Sequence, residues 1–198
     1  MVKFIDFFLY KKARDIYSRS CAGYCIAGYV LGLGDRHPSN IMVRNKGELF
    51  HIDFSHFLGN FKSQNIIGDY VKWQREVAPF VFLPAYKYCI DGGNKEEDKY
   101  NEFIQFAVNA YLALRQRHRL LMNLFVMMLP SQMPELIIKD HIHYLRDQLH
   151  LPADHSKKLR GNGIKNEAVH SHILKIIKVC LNDKRRIIDN TFHAVKHQ

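Results

Sequence analysis

Asp35 and Asn40 stand five residues apart in a polar stretch, and Asp53 follows thirteen residues after Asn40, at the end of a short apolar run. Residues of these types at these separations suit transfer of a phosphoryl group from a nucleotide to a hydroxyl. One loop carboxylate can accept or orient the hydroxyl proton. A side-chain amide five residues on can hold a magnesium ion. A second carboxylate, brought alongside by a hairpin, can hold the metals that bridge the nucleotide phosphates. Hard oxygen ligands suit magnesium, and few are needed because the ion keeps waters and phosphate oxygens. Taken singly, Asp-Arg-His is an ordinary surface loop and Asp-Phe signifies nothing; the joint spacing carries the signal.

The elements that must position these groups are legible on either side. Residues 4–31 read as mostly helix, with Phe4, Phe7, Phe8 and Tyr10 opening an apolar stripe that an uncharged run over 21–33 continues. Gly32 and Gly34 break it, and a polar loop over 35–40 contains Pro38. Short apolar runs at 41–43 and 49–54 flank an Asn45-Lys46-Gly47 turn signal, which predicts a hairpin directly after the loop. The segment 55–78 has weak periodicity and exceeds an ordinary connection, as functional loops often do. Glycines and acids over 91–98 predict a surface loop. Phe103, Phe106, Ala107, Ala110, Tyr111 and Leu114 recur at helical spacing. Residues 120–129 predict a second, buried helix, ended by Pro130 and Pro134. Ile142, Leu145 and Leu149 form a third stripe. Asn166 is a candidate N-cap for a fourth helix, with Val169, Ile173, Ile176 and Cys180 on one face. The fold expected is mainly α with a small β-hairpin.

The 198 residues suffice for one domain or a large lobe, and 47% hydrophobic with 24% charged residues excludes wholesale disorder, collagen and coiled coil. Twenty-nine Lys and Arg against 19 Asp and Glu give a net charge of +10, which suits anionic partners. Nucleic acid is disfavoured, because no basic patch interleaved with aromatics is present. The longest uncharged apolar runs fall short of the ~20 residues a spanning helix needs, and no signal-peptide order of zones opens the chain. A cytoplasmic location follows, with membrane contact peripheral. Four cysteines lack metal-ligand spacing, so Cys21 and Cys25 are expected to be buried small residues. Of the 12 histidines, those other than His37 and His56 are expected to be mostly solvated.

Protein kinases write their loop His-Arg-Asp-x4-Asn. Here the order is Asp35-Arg36-His37-Pro38-Ser39-Asn40. With that reversal, residues 29–40 (YVLGLGDRHPSN) and 49–60 (LFHIDFSHFLGN) closely resemble the catalytic and activation loops of the phosphoinositide 3-kinase family. REVAPFVF at 75–82, AYLALR at 110–115, MPEL at 133–136 and YLRDQL at 144–149 resemble its helical C-terminal lobe. The resemblance is convincing over 15–150 and weak beyond. Residues 56–62 look most like class I, whereas 78–82 and 91–93 look more like class II.

That resemblance implies the C-lobe of a PI3/PI4-kinase catalytic domain over 1–198, with a catalytic loop at 34–42 and an activation loop at 53–79. It implies ATP and Mg2+ as cofactors, Asn40 and Asp53 as metal ligands, and Asp35, Arg36 and His37 in catalysis. His56 matches a histidine suspected of proton transfer, with a plain polar loop residue as the alternative. Met42 and Ile52 match part of the adenine floor. Lys62, Lys72 and Arg75 are the basic residues available to an inositol-lipid headgroup. The implied reaction moves the ATP γ-phosphate to the D3 hydroxyl of a phosphoinositide at the plasma membrane or endomembranes, and a regulatory or adaptor subunit is possible.

Among the departures from the family pattern, two bear most directly on activity. Ser55 replaces the glycine of Asp-Phe-Gly, where backbone angles that serine reaches only at a cost are expected. Second, the phosphate-covering loop and strand lysine of an N-lobe are not in the sequence. A fragment inactive by itself is expected, with a catalytically dead interaction module as the rival reading.

Overall fold

The computed structural model describes residues 2–59, 63–65, 72–74, 78–131, 133, 136, 140–151 and 166–183. Helix α1 (Val2–Leu31) is the axis of the molecule. Cys21, Ala22, Cys25, Ile26, Tyr29 and Val30 are buried along it, spaced as one helical stripe. Against it lie α2 (Pro84–Asp91), α3 (Glu97–Gln116) and α5 (Asp140–Gln148), and α6 (Asn166–Leu181) packs on α3. Phe82 and Phe103 stack at 4.9 Å in the core they share. Among the described residues no helix is long and apolar enough to cross a membrane.

The expected hairpin is present. β1 (Ile41–Val43) pairs antiparallel with β2 (Leu49–His51), in the register Ile41 to His51, Met42 to Phe50 and Val43 to Leu49. It is fastened to α1 by Ser20, whose hydroxyl accepts from the Leu49 amide at 2.9 Å while donating back to its own helix. Tyr24 adds a ring contact to His51 at 4.9 Å. The hairpin therefore cannot slide along α1 without breaking a part-buried hydrogen bond.

Several expectations need correction. A second hairpin, β3 (Ser63–Asn65) with β4 (Lys72–Gln74), lies within the segment read as a long irregular loop. Helix α2 was not foreseen, although Pro84 at its start and Gly92 just past its end are the usual punctuation. Asp91, placed by sequence in a surface loop, is buried at that helix end. Its carboxylate accepts from Lys87 and from the Gly93 amide. Helix α4 (His118–Met128) occupies the second apolar run but has no buried residue. Only a stripe including Leu121 and Phe125 packs inward, while Leu120, Leu124 and Met127 face out. The stripe on α5 and the face of α6 are as expected, with Leu145, Leu149, Val169, Ile173 and Cys180 buried; Ile142 has no described side chain. Cys21 and Cys25 are buried free thiols. Among the described residues three of the remaining histidines are not solvated: His51 is buried, and His118 and His172 are half-buried.

Candidate active site

The site is assembled where α1 ends. Gly32 turns the chain out of the helix, and residues 33–37 lead as a loop to a 3-10 turn at Pro38–Asn40 that runs straight into β1. The return strand β2 delivers residues 52–56 beside this loop. Backbone bonds lock the two together. The Ile52 amide donates to the Asn40 carbonyl at 3.0 Å, and the Gly34 amide to the His56 carbonyl at 2.8 Å. Asp35 and Asp53 both take left-handed backbone angles, with φ of 54° and 59°. Asp tolerates that region better than most residues, and such conformations persist when the surroundings over-determine them.

Arg36 is a large part of those surroundings. Its side chain is buried, and the guanidinium donates to the Gly34 carbonyl at 2.7 Å, the Ile52 carbonyl at 2.6 Å and the Asp53 carbonyl. It also lies 5.8 Å from the centre of the Phe54 ring. Arg36, expected among the catalytic side chains, therefore points into the protein and ties the 34–40 loop to the strand end that carries Asp53. A planar fork is needed for three carbonyls at once, which a lysine cannot supply.

Asn40 is buried, and its Nδ2 donates to the Asp35 carbonyl at 3.0 Å. That contact leaves the amide oxygen as an acceptor, the atom a hard cation requires. Asp53 is exposed, and its Oδ1 accepts from the Ser55 hydroxyl at 2.7 Å and the Ser55 amide at 3.3 Å. These bonds, with the charges of Arg36 and His56, hold the Asp53 carboxyl below its usual range. An ionised carboxylate and a neutral amide oxygen fit magnesium, which asks few ligands of a protein. Among the described residues no three His, Cys, Asp or Glu side chains converge on a metal-like site.

Ser55 is not among the described residues with positive φ; the left-handed positions nearby are Asp53, Leu58 and Gly59. The backbone cost expected of serine at this place is not incurred. Its hydroxyl instead makes a bond that glycine could not.

Met42 and Ile52 lie on one face of the hairpin, because the register sets Met42 opposite Phe50 and Ile52 opposite Asn40. Both are exposed, at 46% and 39%, as are Val43 and Phe54. Met42 and Ile52 thus leave exposed apolar surface on the hairpin face that leads to Asp53. His37 and His56 are half-buried in the loops on either side, and the Nδ1 of His56 is buried with no hydrogen-bond partner. Lys72 opens β4 opposite Asn65 and has no described side chain. Lys62 and Arg75 lie outside the described residues.

This geometry can be set against known proteins. A family model described as phosphatidylinositol 3- and 4-kinase matches residues 3–138. The chain belongs to that family. Among curated relatives, the chain is 38% identical over 188 residues to phosphatidylinositol 3-kinase 1 of Dictyostelium discoideum, covering 95% of this chain and 11% of that protein. Phosphatidylinositol 3-kinase 2 of the same organism is also 38% identical over 188 residues, with 9% of its length covered. Phosphatidylinositol 3-kinase 3 is 45% identical over 142 residues, 72% of this chain. The chain thus spans about a tenth of the length of the relatives it matches. The family match covers the 34–40 loop, both hairpins and helices α1 to α4, so every candidate residue above falls within it.

The sequence singled out both loops and the candidate ligands Asn40 and Asp53, and it did not show two contributors to their placement. Arg36 was legible as a member of the motif, not as its clamp, because residue type does not say which way a side chain turns. Ser55 was read through its backbone, whereas its hydroxyl is what touches Asp53.

Proposed function

We propose that this chain forms the C-lobe of a phosphatidylinositol 3-kinase catalytic domain, whose parent reaction transfers the γ-phosphate of ATP to the D3 hydroxyl of an inositol lipid at a membrane surface. The observation that carries the reading is the Arg36-clamped juxtaposition of the 35–40 loop with Asp53. Asp35 accepts or orients the proton of the attacking hydroxyl. His37 stabilises the charge of the transferring phosphate, and His56 moves a proton nearby. Asn40 and Asp53 hold Mg2+ against the nucleotide phosphates, and that ion neutralises charge as the phosphoryl group passes. Met42 and Ile52 supply the adenine floor. Lys62, Lys72 and Arg75 meet the lipid headgroup, and Arg36 positions Asp53.

The names of the Dictyostelium relatives support the lipid and the 3-kinase reaction. The sequence 56–62 supports class I, and class II is the alternative on the strength of 78–82 and 91–93. A cytoplasmic chain working peripherally at the membrane suits this reading and the +10 charge. The rival reading, an inactive interaction module, loses one support because Ser55 carries no left-handed strain.

The test is a lipid-kinase assay with ATP and Mg2+ on a polypeptide that carries an N-lobe ahead of residues 1–198. Asp35→Ala and His37→Ala should each lower turnover by about 10²-fold or more with folding retained, since proton transfer and charge stabilisation each contribute at that scale. Normal phosphatidylinositol phosphorylation by both folded variants would sink the assignment.

A further inference from the structure

The end of α1 and the start of the activation segment meet a third element that the proposed chemistry does not use. Gly32 has φ of 56° and Gly59 of 79°, so both stand in the left-handed region that glycine adopts freely. The two are neighbours: the Leu58 amide donates to the Leu31 carbonyl at 2.6 Å. Against both lies the ring of Tyr144, from α5. A Cβ on Gly32 would stand 2.6 Å from Cε1 and 2.7 Å from Cζ of that ring. A Cβ on Gly59 would stand 2.7 Å from Cδ2 and 2.9 Å from Cε2. Opposite edges of one ring thus fill the places of two absent side chains.

We propose that Tyr144 is a positioning residue, whose ring fixes the catalytic loop and the Asp53-bearing segment relative to each other by wedging against Gly32 and Gly59. Gly32 lies three residues before Asp35, and Gly59 lies three after His56 and six after Asp53. A shift at either glycine is therefore passed to a candidate reactive group within one or two turns of chain. The support behind the ring is firm. Leu145 and Leu149 of the same stripe are fully buried, and the Tyr111 hydroxyl donates to the Gln148 carbonyl at 2.8 Å, pinning the end of α5 to α3. Helix α5 also packs directly on α1. A rigid, two-sided wedge of this kind is how a scaffold holds two loops at a fixed offset. The inference rests on the phosphoryl-transfer reading only for its catalytic consequence; the mechanical coupling stands by itself.

The experiment therefore has a mechanical arm and a catalytic arm. In the 198-residue chain, Tyr144→Ala should speed hydrogen exchange at the Leu58 and Gly34 amides about ten-fold or more, with the Ala107 amide in α3 little changed. Tyr144→Phe, which keeps the ring, should exchange like the parent. Unchanged exchange at Leu58 and Gly34 overturns the proposal, as does equal acceleration at Ala107, which would mean general loosening. Gly59→Ala gives an independent reading. Its backbone strain is the same in any background, but its clash requires the ring, so it should lower the melting temperature more with Tyr144 present than beside Tyr144→Ala. Equal drops overturn the wedge. In the N-lobe-bearing polypeptide, Tyr144→Ala should lower kcat about ten-fold or more with KM for ATP nearly unchanged, because positioning and not nucleotide binding is lost. If the unmutated polypeptide has no lipid-kinase activity, the functional reading fails while exchange and melting still decide the wedge.

Discussion

The buried guanidinium of Arg36 donates to the main-chain carbonyl of Asp53, so the loop that carries one candidate reactive carboxylate holds the backbone that carries the other. The bond is to the carbonyl and leaves the Asp53 carboxylate exposed for a cation. Its neighbours at the Gly34 and Ile52 carbonyls make the clamp three-pronged.

Removing the clamp should cost stability and geometry together. Hydrogen bonds to a charged donor are worth about 1.5–3 kcal/mol each, and buried carbonyls left unpaired add a penalty. Arg36→Ala is therefore expected to destabilise the chain by about 2–4 kcal/mol, read as a shift of the urea midpoint. Arg36→Lys should recover less than half of that, because a compact ammonium does not reproduce the planar fork that spans these carbonyls. Equal stability of the lysine variant and the parent would show that the fork geometry does not matter.

Ser55 should tune Asp53. Its hydroxyl is the largest influence that lowers the carboxyl below its usual range. Ser55→Ala is expected to move the Asp53 titration upward, observable by NMR of the side-chain carboxyl carbon. A depressed carboxyl binds its proton less readily folded than unfolded. Its contribution to stability is thus complete above about pH 4, the ordinary carboxylate value, and is lost as pH falls through the depressed one. Ser55→Ala should flatten the acid limb of stability in that window. Ser55→Gly should do the same and should not stabilise the backbone through φ, since Ser55 is not left-handed. An unmoved Asp53 titration in both variants would refute the coupling.

How much of this was legible depended on whether a local signal decides the feature. Helix α1, the β1–β2 hairpin and the buried face of α6 follow from periodicity, an Asn-Lys-Gly turn and one apolar stripe. Each is fixed within a few residues of sequence. The exposure of Leu120, Leu124 and Met127 on α4 is decided by which elements pack there, so an apolar run misread as buried was the natural error. The motif spacing singled out Asp35, Asn40 and Asp53 as candidates, because phosphoryl transfer constrains residue type. It could not show that Arg36 turns inward or that Tyr144, about ninety residues further along the chain, fills the space beside two loop glycines, because those facts reside in tertiary placement.

The docking of α6 should respond to acid. His172 Nε2 lies 3.1 Å from His150 Nε2, just beyond α5, and 3.1 Å from the Tyr29 hydroxyl on α1. The Tyr111 ring on α3 packs at 6.0 Å. Burial lowers the His172 imidazole below its ordinary value, and positive charge from His150, Lys175 and Arg115 adds to the shift. The unfolded chain therefore takes up this proton first, near about pH 6.5. Stability from neutral His172 is fully present above that value and drains as pH falls toward the folded one. The melting temperature should drop between pH 7.5 and 5.5, and the drop should be smaller in His172→Gln. An identical pH dependence in that variant would place the acid sensitivity elsewhere.

A polypeptide of residues 1–198 by itself is expected not to turn over ATP. On the proposed reading Asn40 and Asp53 hold the metal, and Met42 and Ile52, both exposed in the folded chain, form one apolar wall. The family resemblance puts the opposing wall, the phosphate-covering loop and the strand lysine in an N-lobe that this sequence does not contain. Without them the phosphates are held from one side only. Positioning is the main catalytic contribution in phosphoryl transfer, and a misplacement of about 1 Å can cost about 10²-fold. Weak Mg2+ binding through Asp53 should survive, since it draws only on side chains within this chain. The exposed wall should also make the isolated polypeptide prone to self-association, because monomers rarely leave a contiguous apolar face open. The assay is ATP hydrolysis and lipid phosphorylation by the purified chain beside an Asp53→Asn control, with Mg2+ titrated by calorimetry. Turnover that disappears in Asp53→Asn would make the 198-residue chain a self-sufficient enzyme and would overturn the one-walled reading of its nucleotide site.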